Sequence, residues 1–408
     1  MKETFAKLPR CVRHNIPLTI LVLLAAILHL SVILPSGSHY CFNGICGDFF
    51  WGVHEHDGIW HIAVAESAFK TFPPRNPIFA GSALSGYNSL LDLILFLFSL
   101  VGISPLLMYF KIMPILWFIF FTYSAILLGK KIQKKKLFIF LFLFLSYFGS
   151  SFSFIFPLIK AKTILGTSSL LAMQSILTLT NVQLAFSYIV LLLILAMLYE
   201  KKLSVKQLLI LCIFIFIQWG LKFYAGFIST IIVGVVFLMR WIKERNMKYF
   251  IIVLLISLSA LISLFFNYNP LGQIKNGGAP FIFNPLALVW PLIEDPSMLY
   301  SAYWSNAKYI LLASSKISPR LIILMGILIF LYIILNLGPR IIGLLWLMKK
   351  CISKKRTDID VGILVGIFTF YDFSYFIYSE GSLVEYRTVF LSNIFIVKHL
   401  YSRIYCKN

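Results

Sequence analysis

Residues 87–103, YNSLLDLILFLFSLVGI, and the lysine cluster KKIQKKK at residues 130–136 together decide the fold. The first stretch is apolar and nearly long enough to cross a bilayer, which takes roughly 20 helical residues. If it crossed, the next apolar run, 106–129, would carry five lysines to the wrong side. Lys and Arg favour the cytoplasmic side, so residues 87–103 are expected to lie along the outer interface as a short helix. Basic residues elsewhere fall in further clusters between apolar runs: Lys2 to Arg13, Lys201 to Lys206, Arg240 to Lys248, Lys349 to Arg356 and Lys398 to Lys407. With every cluster inside, both termini are cytoplasmic and the chain has about ten spans. These are 15–35, 106–129, 137–157, 178–199, 207–220, 222–240, 249–267, 320–348, 361–378 and 386–402.

Composition supports the same reading. Hydrophobic residues make up 60% of the 408 and charged ones only 12%, against roughly 25% charged in soluble domains. Mean hydropathy is +0.90. A formal charge of +21 would suggest nucleic acid in a soluble protein, but here the basic clusters report topology and no nucleic-acid partner is expected. The expected fold is all-α, a single multi-pass transmembrane bundle over residues 1–408 in the cell membrane, in contact with membrane lipid. Residues 16–34 lack a small-residue cleavage site after them and read as a retained first span. Two long segments fall outside, 36–105 and 268–319, and function is sought there.

The first external loop carries Gly47 to Asp92, GDFFWGVHEHDGIWHIAVAESAFKTFPPRNPIFAGSALSGYNSLLD. Residues 54–70 suit an interfacial helix with Ile59, Trp60, Ile62, Val64 and Phe69 as its apolar side. Asp57 and His61 are four apart and share a helical face, with His54, Glu55 and His56 at its start. A carboxylate beside imidazoles suits general-base chemistry or a divalent cation; the plainer alternative is a solvated polar cap. Pro73, Pro74 and Pro77 break the helix, and Gly81 permits a turn. A second interfacial helix follows with Asp92, whose charge in an apolar stretch needs water or a partner. Cys41 and Cys46, outside the membrane, suit a disulfide, with free thiols or a metal site as alternatives.

The order of elements is a first span, an acidic turn into an interfacial helix, a PP-x-x-P segment, a second interfacial helix ending in Gly, and LLMYFKIMP with Lys111 opening the next span. It resembles the N-terminal part of the GT-C superfamily of integral-membrane glycosyltransferases, including the protein O-mannosyltransferase and aminoarabinose transferase branches. The resemblance covers about residues 1–160. It implies inverting transfer of a sugar from a polyprenyl-phosphate donor to an envelope glycan, lipid or protein acceptor at the outer membrane face. It also implies an acidic residue in the first loop as catalytic base or metal contact, matched by Asp57 with Glu55 as nearest substitute. His54, His56, His61 and Asp92 are then supporting residues, and Asp57 with His61 can hold a divalent cation if one is used. H-E-H-D stands where many members carry paired acids.

A phosphate leaving group needs cations. Lys222, in the tight turn WGLKFYAG, and Arg387, in SEGSLVEYRTVF, are the leading donor-phosphate residues, with Arg75 in the proline segment next. Each has snorkelling at a helix end as its alternative. Lys160 and Lys162 are less well placed. Glu385 with Arg387 suits a structural pair beside Glu380, and Glu294 and Asp295 in the second loop are weaker acceptor contacts. A glycolipid flippase would use midspan charge such as Asp372. A polysaccharide polymerase is the other alternative.

Overall fold

A computed structural model describes residues 16–79, 81–152, 154–162, 175–200, 202–275, 282–283, 289–296, 298–313, 319–353 and 356–378. It is 77% helical with 4% strand. Twelve helices matter for the site: α1 (Ile16–Ile33), α2 (Asp57–Ser67), α3 (Leu90–Ser99), α4 (Pro105–Ile132), α5 (Lys136–Phe148), α6 (Val182–Leu198), α7 (Val205–Leu221), α8 (Phe223–Glu244), α9 (Met247–Tyr268), α10 (Ala302–Ala313), α11 (Pro319–Ile352) and α12 (Asp358–Phe376). Of these, α1, α4, α8, α9 and α11 are long and apolar enough to cross a membrane, and α3, α5, α6 and α7 are shorter apolar helices. The span expected over 386–402 lies outside the described residues.

Three expected spans are built differently. Residues 137–157 form α5 and then a separate turn of helix, Ile155–Ala161, because the chain breaks at Gly149 against the buried Arg340 side chain. Residues 178–199 begin as a 3₁₀ turn, Ser175–Thr180, and become helical only after Asn181, whose side chain accepts from the Leu184 N–H at 3.0 Å as an N-cap. In α11 the run Gly338–Arg340 interrupts the helix as a 3₁₀ turn at a proline.

Burial separates the centre of the bundle from its lipid-facing rim. Nearly every residue of α6 is buried, with α4, α7 and α8 packed around it. In contrast α1 exposes Ile20, Leu23, Leu24 and Ile27, and α9 exposes Leu254, Leu258, Leu261 and Ile262. A soluble protein does not leave such continuous apolar faces open, so these surfaces contact membrane lipid.

The two ends of the bundle differ in chemistry. At one end Lys131 pairs with Glu200, and Arg240 donates to the Leu198 carbonyl at 2.7 Å and lies 3.7 Å from Asp358. Lys350 pairs with Asp360 at the same end. These contacts gather members of the basic clusters 130–136, 240–248 and 349–356. At the other end, the loop over 36–105 packs on the start of α6, the α7–α8 turn and the end of α9. Gly86 N–H donates to Tyr268 O at 2.7 Å, the Ser89 hydroxyl to Asn267 O at 3.3 Å, and Asn269 Nδ2 to Leu84 O at 3.3 Å.

That loop also contains an unexpected hairpin. Strands β1 (Ser38–Phe42) and β2 (Ile45–Phe49) pair antiparallel across Asn43 and Gly44, whose φ angles of 49° and 80° fit a type I′ turn. Cys41 and Cys46 face each other in this register and are disulfide-bonded. A second pair of short strands, β3 (Ile282–Phe283) and β4 (Ile377–Tyr378), joins the second long loop to the end of α12.

Candidate functional site

Both short helices of the first loop form where the sequence places them. The helical stretch of 54–70 resolves into a 3₁₀ turn, Gly52–Glu55, then α2, then a second 3₁₀ turn, Ala68–Lys70. Its packed side keeps Val64 of the expected set, with Trp60, Ile62 and Phe69 partly buried, but takes in His61 and leaves out Ile59. Gly58, His61, Val64 and Ala65 are buried, and Ile59 is 44% exposed. The reason is that α2 lies against α3, where Asp92 offers a buried carboxylate, and His61 turns inward to meet it.

His61 Nδ1 lies 2.7 Å from Asp92 Oδ1, with both side chains buried. The Tyr87 hydroxyl is 2.8 Å and Gln183 Nε2 3.3 Å from the same nitrogen, and Gln183 Nε2 donates to Asn88 O at 3.0 Å. A carboxylate is the strongest acceptor in this set, so the Nδ1 hydrogen goes to Asp92 and Nε2 carries the lone pair. Tyr109 stacks on the imidazole at 5.4 Å. Burial pushes the Asp92 carboxyl above the usual carboxylate range, while the neighbouring His61, Tyr87 and the Lys222 ammonium act to lower it. Burial, aided by the Asp92 charge, likewise raises the Tyr87 phenol. Asp92 Oδ2, Gln183 Oε1 and Asn88 Oδ1 have no hydrogen-bond partner in this cluster.

His54 plays a separate, structural part. It is fully buried, accepts at Nδ1 from the Ser36 hydroxyl at 2.8 Å and donates from Nε2 to Leu179 O at 3.3 Å. Burial pulls its pKa below the ordinary value, partly opposed by the Leu179 bond and the Asp57 charge. The Ser36 hydroxyl also accepts from Trp51 N–H, and Lys111 binds Leu34 O, Ser36 O at 3.0 Å and Ser38 Oγ at 2.7 Å. The basic residue of LLMYFKIMP therefore ties the end of α1 and the foot of the hairpin to α4.

Asp57 is exposed and opens α2, one turn before His61. A carboxylate in the first turn suits the positive end of the helix. Its charge acts on both His54 and Tyr109, and the charge of Asp92 also acts on Tyr109. Glu55 and His56 are exposed neighbours of each other, 3.7 Å apart. Arg75 is exposed, its N–H donating to Ala68 O at 3.0 Å and its backbone bridging Ala83. Lys222 is half-buried in the tight turn between α7 and α8, and its charge acts on Asp92. Gly220 in that turn fits directly against Leu90, where an added Cβ would come to 2.8 Å. The structure thus brings Asp57, His61, Asp92 and Lys222 to one end of the bundle. Arg387, Glu380 and Glu385 lie outside the described residues, as does the side chain of Asp372. Lys160 donates to Pro296 O, and Glu294 pairs with Lys308. Among the described residues the group of three or more potential metal-ligating side chains that lie close together is His39, Cys41 and Cys46, of which the two cysteines are bonded to each other.

A cavity of about 360 Å³ adjoins the His61 cluster through Tyr87 and Trp60, and Asn76, Ser85, Gly86 and Gln273 also line it. Gly86 has φ +68°, and a Cβ there would come to 2.6 Å from the Gln273 side chain, so glycine alone fits this wall. A second hollow of about 530 Å³, lined by Tyr303, Trp304, Ile310, Arg320, Ile323 and Ile327, lies between α10 and α11. Tyr87, Gln183 and Tyr109 were not singled out by sequence. Tyr87 and Asn88 stand beside the Asp92 segment, but Gln183 sits in an apolar run far along the chain and is placed only by the fold. Comparison with family models, with curated proteins and with solved structures gives no match.

Proposed function

We propose that the chain is a membrane glycosyltransferase of the GT-C type, moving a sugar from a polyprenyl-phosphate donor to an envelope glycan, lipid or protein acceptor at the outer face of the cell membrane. About ten spans, with both termini cytoplasmic, complete this reading. The observation that carries it is the convergence of an exposed acid, Asp57, on a helix locked by the buried His61–Asp92 pair, with a cation, Lys222, acting on that pair. An acid and a cation at one end of a lipid-embedded bundle are what transfer from a lipid phosphate needs.

Asp57 takes the proton of the acceptor hydroxyl as its oxygen attacks the anomeric carbon. The bond from that carbon to the phosphate oxygen breaks, and the lipid phosphate leaves with the electron pair. Lys222, together with Arg387 and Arg75, stabilises its charge. Glu55 is the substitute base. Trp60 and Tyr87 offer aromatic faces to a sugar ring beside the amides of Asn76 and Gln273. The apolar hollow with Arg320 suits a lipid tail and its phosphate. His61 has Nε2 left to join Asp57 on a divalent cation if the reaction uses one.

Glycan analysis of a strain lacking the gene tests this. A missing sugar is expected. Shortened but complete repeats would indicate a polymerase, and a lipid-linked intermediate accumulated on the inner leaflet would indicate a flippase; either overturns the proposal.

A further inference from the structure

The hairpin at the site end carries a second constellation. In its register, His39 faces Asp48 and Cys41 faces Cys46. Because the two-residue turn makes Phe42 and Ile45 the hydrogen-bonded closing pair, both of these couples are non-hydrogen-bonded pairs, whose side chains approach most closely. Residues 39 and 41 alternate onto the same face of one strand, and 46 and 48 onto the same face of the other. All four side chains therefore project from one side of the ribbon.

With the disulfide opened, these side chains supply the donor set of a cation site. Ligand atoms of His39, Cys41 and Cys46 lie within 4.8 Å of one another. His39 Nε2 is 3.8 Å from Cys41 Sγ, close to the about 3.6 Å edge that tetrahedral zinc with bonds of about 2.1 Å to nitrogen and 2.3 Å to sulfur requires. His39 Nδ1 lies 3.1 Å from Asp48 Oδ1. A carboxylate there fixes the ring so that Nε2, not Nδ1, is the free ligand, the usual arrangement around a metal-bound histidine. Exposure of the group leaves the fourth position to water.

We propose that this hairpin is a redox-gated site for a zinc-class cation. In the bridged state the sulfur atoms are committed to each other and His39 stands without thiolate partners. A dithiol reductant converts the Cys41–Cys46 disulfide to two thiols and is itself oxidised to a disulfide. The cation then displaces the two thiol protons and binds both thiolates and His39 Nε2, with Asp48 orienting the imidazole. Disulfide and metal exclude one another, so the hairpin reports the thiol balance of its compartment. This site is independent of the transferase reading.

The test uses the full chain in detergent with Co²⁺ as probe, after phosphine reduction and removal of the reductant. Tetrahedral cobalt absorption with a thiolate charge-transfer band is expected in the reduced protein and its loss in the oxidised one. C41S/C46S should abolish the signal. D48N should weaken Co²⁺ binding about 10-fold, as for other orienting partners of metal-bound histidine, and H39A should weaken it further, with the fold of each variant checked by circular dichroism. Absence of the band after reduction, or a band unchanged in C41S/C46S or H39A, would overturn the proposal.

Discussion

Replacing both partners of the buried His61–Asp92 pair should harm the protein much less than the two single replacements suggest. In D92L the His61 Nδ1 hydrogen loses its acceptor in a buried site. Removing one member of a buried pair costs about 3–5 kcal/mol. H61L strands the Asp92 carboxyl, already raised by burial, at a comparable cost. Each group in H61L/D92L is apolar, so neither desolvated partner remains, and the expected coupling is about 2–3 kcal/mol in favour of the double variant. Equilibrium unfolding in mixed micelles, followed by tryptophan fluorescence, reads the cycle. The pH dependence has a defined sign. A carboxyl with a raised folded pKa binds more protons folded than unfolded over the window above its ordinary value, so stability falls as pH rises through it. H61L, lacking the partner that lowers Asp92, should recover stability as pH drops towards that ordinary value. Additive single effects, with coupling under about 0.5 kcal/mol, would refute the claim that this pair locks α2 to α3.

Gly58→Ala places a Cβ 2.5 Å from the Phe110 ring, so it should cost about 1–3 kcal/mol and displace the start of α2; transfer should fall more than thermal stability, measured side by side. His54 is held neutral with its pKa lowered, so the unfolded chain binds the extra proton first and stability is lost as pH falls through the ordinary histidine value. His54→Gln should flatten that acid-side loss in a thermal scan from neutral to mildly acidic pH. Lys222→Gln should lower kcat/KM for a lipid-phosphate donor about 10- to 100-fold, equivalent to roughly 1.4–2.7 kcal/mol, while an unchanged value would remove Lys222 from the donor site.

Part of the architecture could be read from the sequence. As expected from the lysines at 130–136, α3 is a short apolar helix of 10 residues, and the proline run lies between α2 and α3. Legibility failed where polar contacts override hydrophobic period. Ile59 looks like a packed residue and His61 like a surface one, yet the Asp92 carboxylate reverses them, and that carboxylate lies 31 residues away. Cys41 and Cys46 left a metal site open with nearby histidines but no second ligand pair at metal spacing, because His39 and Asp48 join them only through the register of a hairpin. Its turn, Asn-Gly, was the local signal that could have revealed it. Gln183 carries no such signal, being one polar side chain in an apolar helix. The breaks at Gly149 and Gly338–Arg340 likewise depend on close backbone approach, as at Gly338, where an added Cβ would lie 2.7 Å from Ser150 O.

The central claim is that Asp57 is the base of a sugar transfer. Its most direct test is Asp57→Asn in membranes supplied with a polyprenyl-phosphate-linked sugar, with folding verified by unchanged thermal stability. The side chain is exposed, so the substitution should leave the bundle intact. Loss of transfer by about 100-fold or more is expected for a general base. Full turnover by the variant would contradict the account.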